Sequence, residues 1–141
     1  MYYQITIYPE HRLVHFKHVL PFDIEDVYTG FQELFAHKDF VRGYNILRDY
    51  SAVEIGDNWD FSRLSTTATA RMNEYHDRIA PCKIALLAKS QLDFARTQQA
   101  SRVLDQRPEE VTRKGFVNVA DALVWLGAPP RPLRLGTGLI N

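Results

Sequence analysis

Seven residues at positions 82–88, CKIALLA, form an apolar run that only Lys83 interrupts. A short apolar run of this kind is typical of a strand that is covered on both faces, as the interior strands of a parallel sheet are. Successive parallel strands must be joined by crossover segments of about a dozen residues or more, usually helices. The segments on either side of this run should therefore be helical.

Both neighbouring segments have the apolar spacing of amphipathic helices. Before the run, large apolar residues recur every three or four positions until Pro81 ends the pattern: Phe61, Leu64, Ala68, Met72, Tyr75 and Ile79. After the run, the Ser90-Gln91-Leu92-Asp93 segment resembles a capping box and predicts a helix that ends before Pro108.

The N-terminal third predicts a hairpin, a helix and a second covered strand. Residues 2–8 and 12–19 alternate between apolar and polar positions, which predicts two antiparallel strands. Apolar residues at helical spacing between positions 24 and 35 predict the first helix, with Asp23 as its N-cap. Residues 44–48 are apolar at their centre and predict a strand that ends in Asp49-Tyr50-Ser51.

The last quarter predicts a weak strand at 111–117 and a short helix between an Asn118 cap and a Gly127 stop. The prolines that follow cannot continue a helix. We therefore expect a domain at residues 1–127 and a Pro-rich tail at 128–141. The domain should be an α/β sandwich with a mixed, mostly parallel sheet of about five strands, opened by a hairpin, and about four helices. The predicted core contains Ile46, Leu47, Leu64, Ala68, Met72, Tyr75, Ile84, Leu86 and Leu87.

Composition narrows the classes of function. The 141 residues contain 17 Lys+Arg and 17 Asp+Glu, so no net positive charge favours nucleic acid or an anionic membrane as a partner. The N-terminus lacks a basic segment followed by a long apolar run, and the longest apolar run, 84–88, is too short to cross a bilayer. We expect a cytoplasmic protein without membrane insertion.

No arrangement of residues predicts catalysis, a metal or a cofactor. His15 and His18 should point to opposite faces of their strand, and the other histidines have no neighbour at ligand spacing. Cys82 begins an apolar strand, where a free cysteine usually behaves as a small hydrophobe. The Gly136-Thr137-Gly138 segment lacks the strand and helix that a phosphate-binding loop requires.

One polar cluster lies where a central strand gives way to a helix: Asp49, Tyr50 and Ser51, followed by Asp57, Asn58 and Trp59. In open α/β sheets, ligands bind at the carboxyl ends of the strands, and free amides at a helix start favour an anion. We therefore predict a site for a partner or ligand at these six residues. Helix capping alone would also explain the polar residues at 57–60.

The tail contains four large apolar residues in its last nine: Leu133, Leu135, Leu139 and Ile140. These residues are surplus to a domain that ends at Gly127, so they could dock on a second copy of the chain and form a homodimer. A loosely packed tail is the alternative interpretation.

Three short segments carry a family resemblance. They are LRDYSAV at 47–53, KIALL at 83–87 and NVADALVWLG at 118–127, of which the ending ALVWLG is the most distinctive. With the predicted element order, they resemble the SpoIIAA-like branch of the bacterial STAS domains, relatives of anti-sigma-factor antagonists. The resemblance covers residues 2–127.

The resemblance implies a regulatory role, with one departure. In the phosphorylated antagonists, a strand ending Asp-Leu-Ser is followed eight residues after that Asp by another Asp and then by the serine acceptor. Asp49 and Asp57 have this spacing, but Asn58 and Trp59 follow and neither has a hydroxyl group. A phosphorylation switch at the usual position is therefore not expected.

The sequence leaves three functions open. The first is a non-enzymatic regulatory or protein-interaction module that presents residues 49–60 to a protein partner. The second is a domain that binds a small or lipid-like ligand in an apolar pocket near Tyr44, Trp59 and Trp125. The third, an enzyme, has no motif in its favour.

Overall fold

A five-stranded sheet forms the centre of the protein in its computed structural model. The structure describes residues 3–19, 25–54, 66–104 and 110–129, without the side chains of 66–69, 71, 72 and 99–104. In chain order the helices and strands are β1 (Tyr3–Tyr8), β2 (Leu13–His18), α1 (Glu25–Ala36), β3 (Asn45–Tyr50), α2 (Thr66–Ile79), β4 (Cys82–Ala88), α3 (Gln91–Leu104), β5 (Val111–Phe116) and α4 (Val119–Trp125).

The strands lie side by side in chain order, β1-β2-β3-β4-β5. Strands β1 and β2 are antiparallel, and every other neighbouring pair is parallel. Each parallel step contains one helix, α1, α2 or α3, as parallel crossovers require. The predicted α/β class, with a mixed sheet opened by a hairpin and four helices, is confirmed.

The hairpin has the predicted alternation. Tyr3 pairs with His18 at one end of the ladder and Tyr8 with Leu13 at the other. A short 3-10 turn at Pro9–His11 connects the strands, and Arg12 closes it with a positive φ of 52°. His15 and His18 contact different faces of the sheet, as their spacing predicts.

Both faces of the sheet are covered, which explains the apolar strand sequences. On the first face, here called the helix face, α1 and α2 pack against the sheet through Val27, Phe31, Leu34, Tyr75 and Ile79, which meet Val14, Phe16, Ile46, Ile84 and Leu86. Helix α3 reaches the same face at Gly115, where an added Cβ would lie 2.8 Å from Phe94. On the opposite face, α4 packs through Leu123 and Leu126 against Leu47, Ala85 and Leu87.

The predicted helix ends are confirmed where the structure describes them. The Asn118 side chain accepts from the Asp121 N–H at 3.2 Å, and Gly127 has a positive φ of 76° just after α4. The Ser90 hydroxyl accepts from the Asp93 N–H at 3.2 Å and caps α3. The predicted cap Asp23 lies outside the described residues.

Six of the nine predicted core residues are buried: Ile46, Leu47, Tyr75, Ile84, Leu86 and Leu87. Leu64 and the side chains of Ala68 and Met72 lie outside the described residues. So does the tail from residue 130, and the predicted docking arm therefore stays a prediction.

Strand β3 ends at Tyr50, within the Asp49-Tyr50-Ser51 segment in which the sequence predicts its end. Asp49 pairs with Lys17 on β2 and with Leu87 on β4, and Tyr50 pairs with Ala88. A strand interior rarely contains Arg-Asp, because buried charges need partners. Strand β3 nevertheless brings both charges into the interior of the protein.

Candidate ligand-binding site

The described part of the predicted site divides between the two faces of the sheet. Asp49 lies on the face that α4 covers, whereas Arg48 and Tyr50 lie on the helix face, because successive residues of a strand alternate. Asp57, Asn58 and Trp59 lie outside the described residues. The six predicted residues therefore include two separate polar environments, and each must be examined by itself.

On the α4 face, both carboxylate oxygens of Asp49 accept hydrogen bonds from neighbouring residues. Its Oδ2 accepts from His15 Nε2 at 2.9 Å, and its Oδ1 accepts from the Ser51 N–H at 2.8 Å and from the Ser51 hydroxyl at 2.5 Å. Asp49 has an exposed fraction of 0% and His15 of 2%. The carboxylate thus ties β2 to β3 and fixes the turn that follows β3.

Ser51, His15 and Asp49 are not arranged as a Ser–His–Asp triad. In a triad the serine hydroxyl hydrogen-bonds to the histidine, which takes its proton, and the histidine lies on the carboxylate. Here the Ser51 hydroxyl lies against the carboxylate, and His15 lies on the other carboxylate oxygen. Because Asp49 and Tyr50 are both fully buried, their side chains cannot form an exposed surface for a protein partner, although Tyr50 could contact a small ligand.

On the helix face, Arg48 lies among aromatic rings. Its guanidinium carbon is 5.7 Å from the ring centroid of Phe16, 5.6 Å from that of Phe31 and 5.2 Å from that of Tyr50. Phe16 is the neighbour of Arg48 on β2, and Phe31 comes down from α1. The Arg48 side chain is 4% exposed, so this cation is inside the protein.

The Arg48 guanidinium has unused hydrogen-bond donors. Its Nε and Nη2 atoms are shielded from solvent and have no hydrogen-bond partner in the part of the chain that the structure describes. An arginine does not lose its proton in a protein, so both N–H groups and the positive charge are present. Buried charges are ordinarily paired, because leaving them without a partner costs several kcal/mol. Arg48 departs from that rule.

A second buried arginine reaches the same face from β5. Arg113 is 7% exposed, and its Nη2 donates to His76 Nε2 on α2. Arg113 lowers the pKa of Arg48, after the larger effect of burial, as two cations in one region do. The two buried acidic residues among those described bond elsewhere, Asp49 to His15 and Asp93 to Arg96. On α1, Oδ2 of the partly buried Asp26 is also shielded from solvent and has no hydrogen-bond partner among the described residues.

His18 completes the cluster as a neutral group. Its ring stacks on Tyr50 at 4.7 Å and on Phe16 at 4.7 Å. Burial, followed by the charge of Arg48, lowers the pKa of His18 to about 2. Burial also raises the pKa of Tyr50 to about 12, although both arginines oppose that shift. At neutral pH the arginines therefore supply the charge of this cluster.

We name these residues the Arg48 cluster, which consists of Phe16, His18, Phe31, Arg48, Tyr50 and Arg113. Sequence reasoning found only Tyr50 among them. An arginine within a strand predicted to be covered on both faces was the available signal, since such a strand has no exposed side for a charge. The aromatic neighbours and Arg113 come from other elements and have no local signal.

The apolar pocket expected near Tyr44, Trp59 and Trp125 does not form from the two residues that are described. Tyr44 packs in the core of the helix face, whereas Trp125 packs with Phe116 on the α4 face. The sheet separates them. Trp59 lies outside the described residues.

Cys82 is buried, and burial raises the pKa of its thiol to about 11. A thiol in this environment is a poor nucleophile at neutral pH. The described residues contain no group of three or more His, Cys, Asp or Glu side chains that could hold a metal ion. Nor does any helix in the described ranges have the length and apolar character needed to cross a membrane.

Comparison of the chain with family models, with curated proteins and with solved structures finds no match.

Proposed function

We propose that the protein is a non-enzymatic, STAS-like module that binds a small anionic ligand on the helix face of its sheet, with Arg48 as the anchor. The observation that carries the proposal is the buried guanidinium whose Nε and Nη2 have no partner. An anion that enters the cluster would supply the missing partner and the missing negative charge.

The energetic argument is that a buried Arg48 without a ligand lowers the stability of the fold. Contacts between a cation and an aromatic face contribute about 0.5–2 kcal/mol each, and three rings pack near this guanidinium. Burial of the charge and of two unsatisfied N–H groups opposes that gain. An apolar side chain of similar length would fill the site without this cost, so the charge is better explained by a ligand.

The position of the cluster supports the same function. His18 and Tyr50 are the last residues of β2 and β3. Arg48 lies two residues before Tyr50, on the same face of the sheet. Both strands run parallel and end at the same edge of the sheet. Ligands of open α/β sheets bind at the carboxyl edge, usually where the strand order reverses. The strand order of the described sheet does not reverse, so the cluster shares with those sites only its position at this edge.

The first test compares Arg48→Met with Arg78→Met, which removes an exposed arginine of α2 as a matched control. Each protein is unfolded in guanidinium, desalted and refolded to remove any ligand acquired in the cell. The free energy of unfolding of Arg48→Met should equal or exceed that of the wild type, because a buried charge without a partner is replaced by an apolar side chain.

Native mass spectrometry of the proteins as first purified gives the second measurement. Wild type and Arg78→Met should carry a small acidic molecule that Arg48→Met lacks. A loss of more than about 2 kcal/mol in the refolded Arg48→Met protein, without any difference in bound molecules, would assign Arg48 a purely structural role and contradict the proposal.

The interaction surface expected at Asp57, Asn58 and Trp59 stays a prediction, because these residues lie outside the described ranges. The regulatory role implied by the resemblance is compatible with a ligand-binding module, since occupancy of the cluster could control what the neighbouring segment presents.

A further inference from the structure

The two free nitrogens of Arg48 lie on one edge of its guanidinium. Nη2 is the terminal nitrogen on the side of the Nε hydrogen, so the Nε–H and Nη2–H bonds point in nearly the same direction. These two atoms are the ones of Arg48 that have no hydrogen-bond partner among the described residues. Together they form a fork that matches the two oxygens of a single planar oxyanion.

We infer that the group held by Arg48 is the carboxylate of a small molecule whose adjoining part is apolar. This inference rests on the proposed function and makes it specific, because it names the class of ligand. A carboxylate has two oxygens, and the fork offers one N–H to each.

A phosphate fits the cluster less well. After the fork has bound two oxygens, a phosphate has further charged oxygens that need donors. Two of the three rings near the guanidinium, Phe16 and Phe31, have no donor, and the third, Tyr50, has one hydroxyl. Arg113 Nη2 already donates to His76. A phosphate would therefore place charged oxygens against aromatic carbon on the Phe16 and Phe31 sides of the guanidinium, at the cost that burying an unpaired charge entails.

The surroundings of the fork define the rest of the ligand. Phe16, Phe31 and Tyr50 are buried, and His18, which stacks on two of them, is neutral. A ligand carboxylate beside Arg48 would therefore continue into aromatic surroundings. Beside Phe16 and Phe31, apolar substituents gain free energy by leaving water, whereas hydroxyl or amino groups would lose hydrogen bonds.

The test is isothermal titration calorimetry of refolded protein with named probes. The carboxylates are acetate, butyrate, hexanoate, benzoate and phenylacetate. The neutral analogues are hexanamide and benzamide, and the phosphates are inorganic phosphate and phenyl phosphate. We expect hexanoate or benzoate to bind more tightly than acetate, and each amide to bind at least about ten-fold more weakly than its acid.

Arg48→Lys separates a fork from a simple positive charge, since lysine retains the charge and loses the paired N–H geometry. Carboxylate affinity should fall by about ten-fold or more in Arg48→Lys and stay at the wild-type level in Arg78→Lys. Should Arg48→Lys fail to fold, the comparison of acids with amides on the wild-type protein decides the question by itself.

The possible outcomes separate this inference from the proposed function. Tighter binding of phenyl phosphate than of benzoate, abolished by Arg48→Met, would retain an anion site at Arg48 and overturn its assignment to carboxylates. Equal binding of benzoate and benzamide would also overturn that assignment. If no anionic probe binds the wild type and no acidic molecule copurifies with it, the proposed function itself fails.

Discussion

At the scale of single residues, the adjacent charges Arg48 and Asp49 of β3 have opposite environments. Asp49 has partners on both carboxylate oxygens, whereas Arg48 leaves Nε and Nη2 without any. The first arrangement stabilises the fold, and the second leaves a charge available to a ligand. Substitution of Asp49 should therefore be costly where substitution of Arg48 is not.

We predict that Asp49→Ala destabilises the protein by about 3–5 kcal/mol, as the loss of one member of a buried pair does. The change removes the acceptor of His15 and of both Ser51 donors. Ser51→Ala is the matched control, because it removes one hydroxyl donor and should cost about 0.5–1.5 kcal/mol. Urea unfolding followed by circular dichroism measures both. Equal and small losses would show that the buried His15–Asp49 contact contributes little.

At the scale of elements, α1 packs so closely on β2 that glycine is required at one position. An added Cβ at Gly30 would overlap Cζ of Phe16, a fully buried ring that also packs near Arg48. This contact holds the first helix directly over the Arg48 cluster.

Gly30→Ala should destabilise the protein although alanine is the better helix former. The gain in helix propensity is about 1 kcal/mol. Displacing a packed ring costs about 1–3 kcal/mol or more, and the overlap here is with ring carbon that packs against Phe31 and Tyr3. Thr29→Ala, at the adjacent exposed position, provides the control. A rise in the thermal midpoint of Gly30→Ala would show that α1 can shift away from the sheet.

The sequence predicts the elements well where a single period dominates. Residues 82–88 form a strand with the predicted bounds, and the Asn118 cap and Gly127 stop delimit α4. The sequence does not predict the burial of Arg48 and Asp49, because that burial depends on neighbours supplied by other elements. His15 is 34 positions from Asp49 along the chain, and only the parallel register of β2 and β3 brings them together. No local sequence pattern predicts that register.

At the scale of the whole molecule, the order of the strands determines where the candidate site can lie. Because the strands follow one another without reversal, right-handed crossovers place successive helices on one face. The aromatic side chains of α1 are thereby directed onto β2 and β3 near their carboxyl ends, where His18 and Arg48 lie. The dependence of stability on acid pH should reveal this arrangement. Unfolding exposes His18, which can then bind a proton, whereas the native protein keeps this ring neutral.

The pKa of His18 is about 2 in the folded protein against an ordinary value of 6.5. Above pH 6.5 the ring is neutral in both states and contributes no pH dependence. Below pH 6.5 the unfolded chain binds a proton that the native protein excludes, so stability falls by about 1.4 kcal/mol per pH unit as the pH decreases toward 2. Between pH 6.5 and about pH 4.5, His18 should account for a loss of about 2.3 kcal/mol.

His18→Phe tests this dependence, because the variant retains an aromatic ring for stacking and cannot bind the proton. Chemical unfolding at a series of pH values should give His18→Phe a smaller decrease in stability below pH 6.5 than the wild type. His11→Phe, in the partly exposed turn of the hairpin, removes an imidazole outside the cluster and should retain the wild-type acid sensitivity. Parallel pH profiles for wild type and His18→Phe would mean that the native protein binds the His18 proton as readily as the unfolded chain does. The arginine charges would then face a third cation in acid instead of a neutral ring.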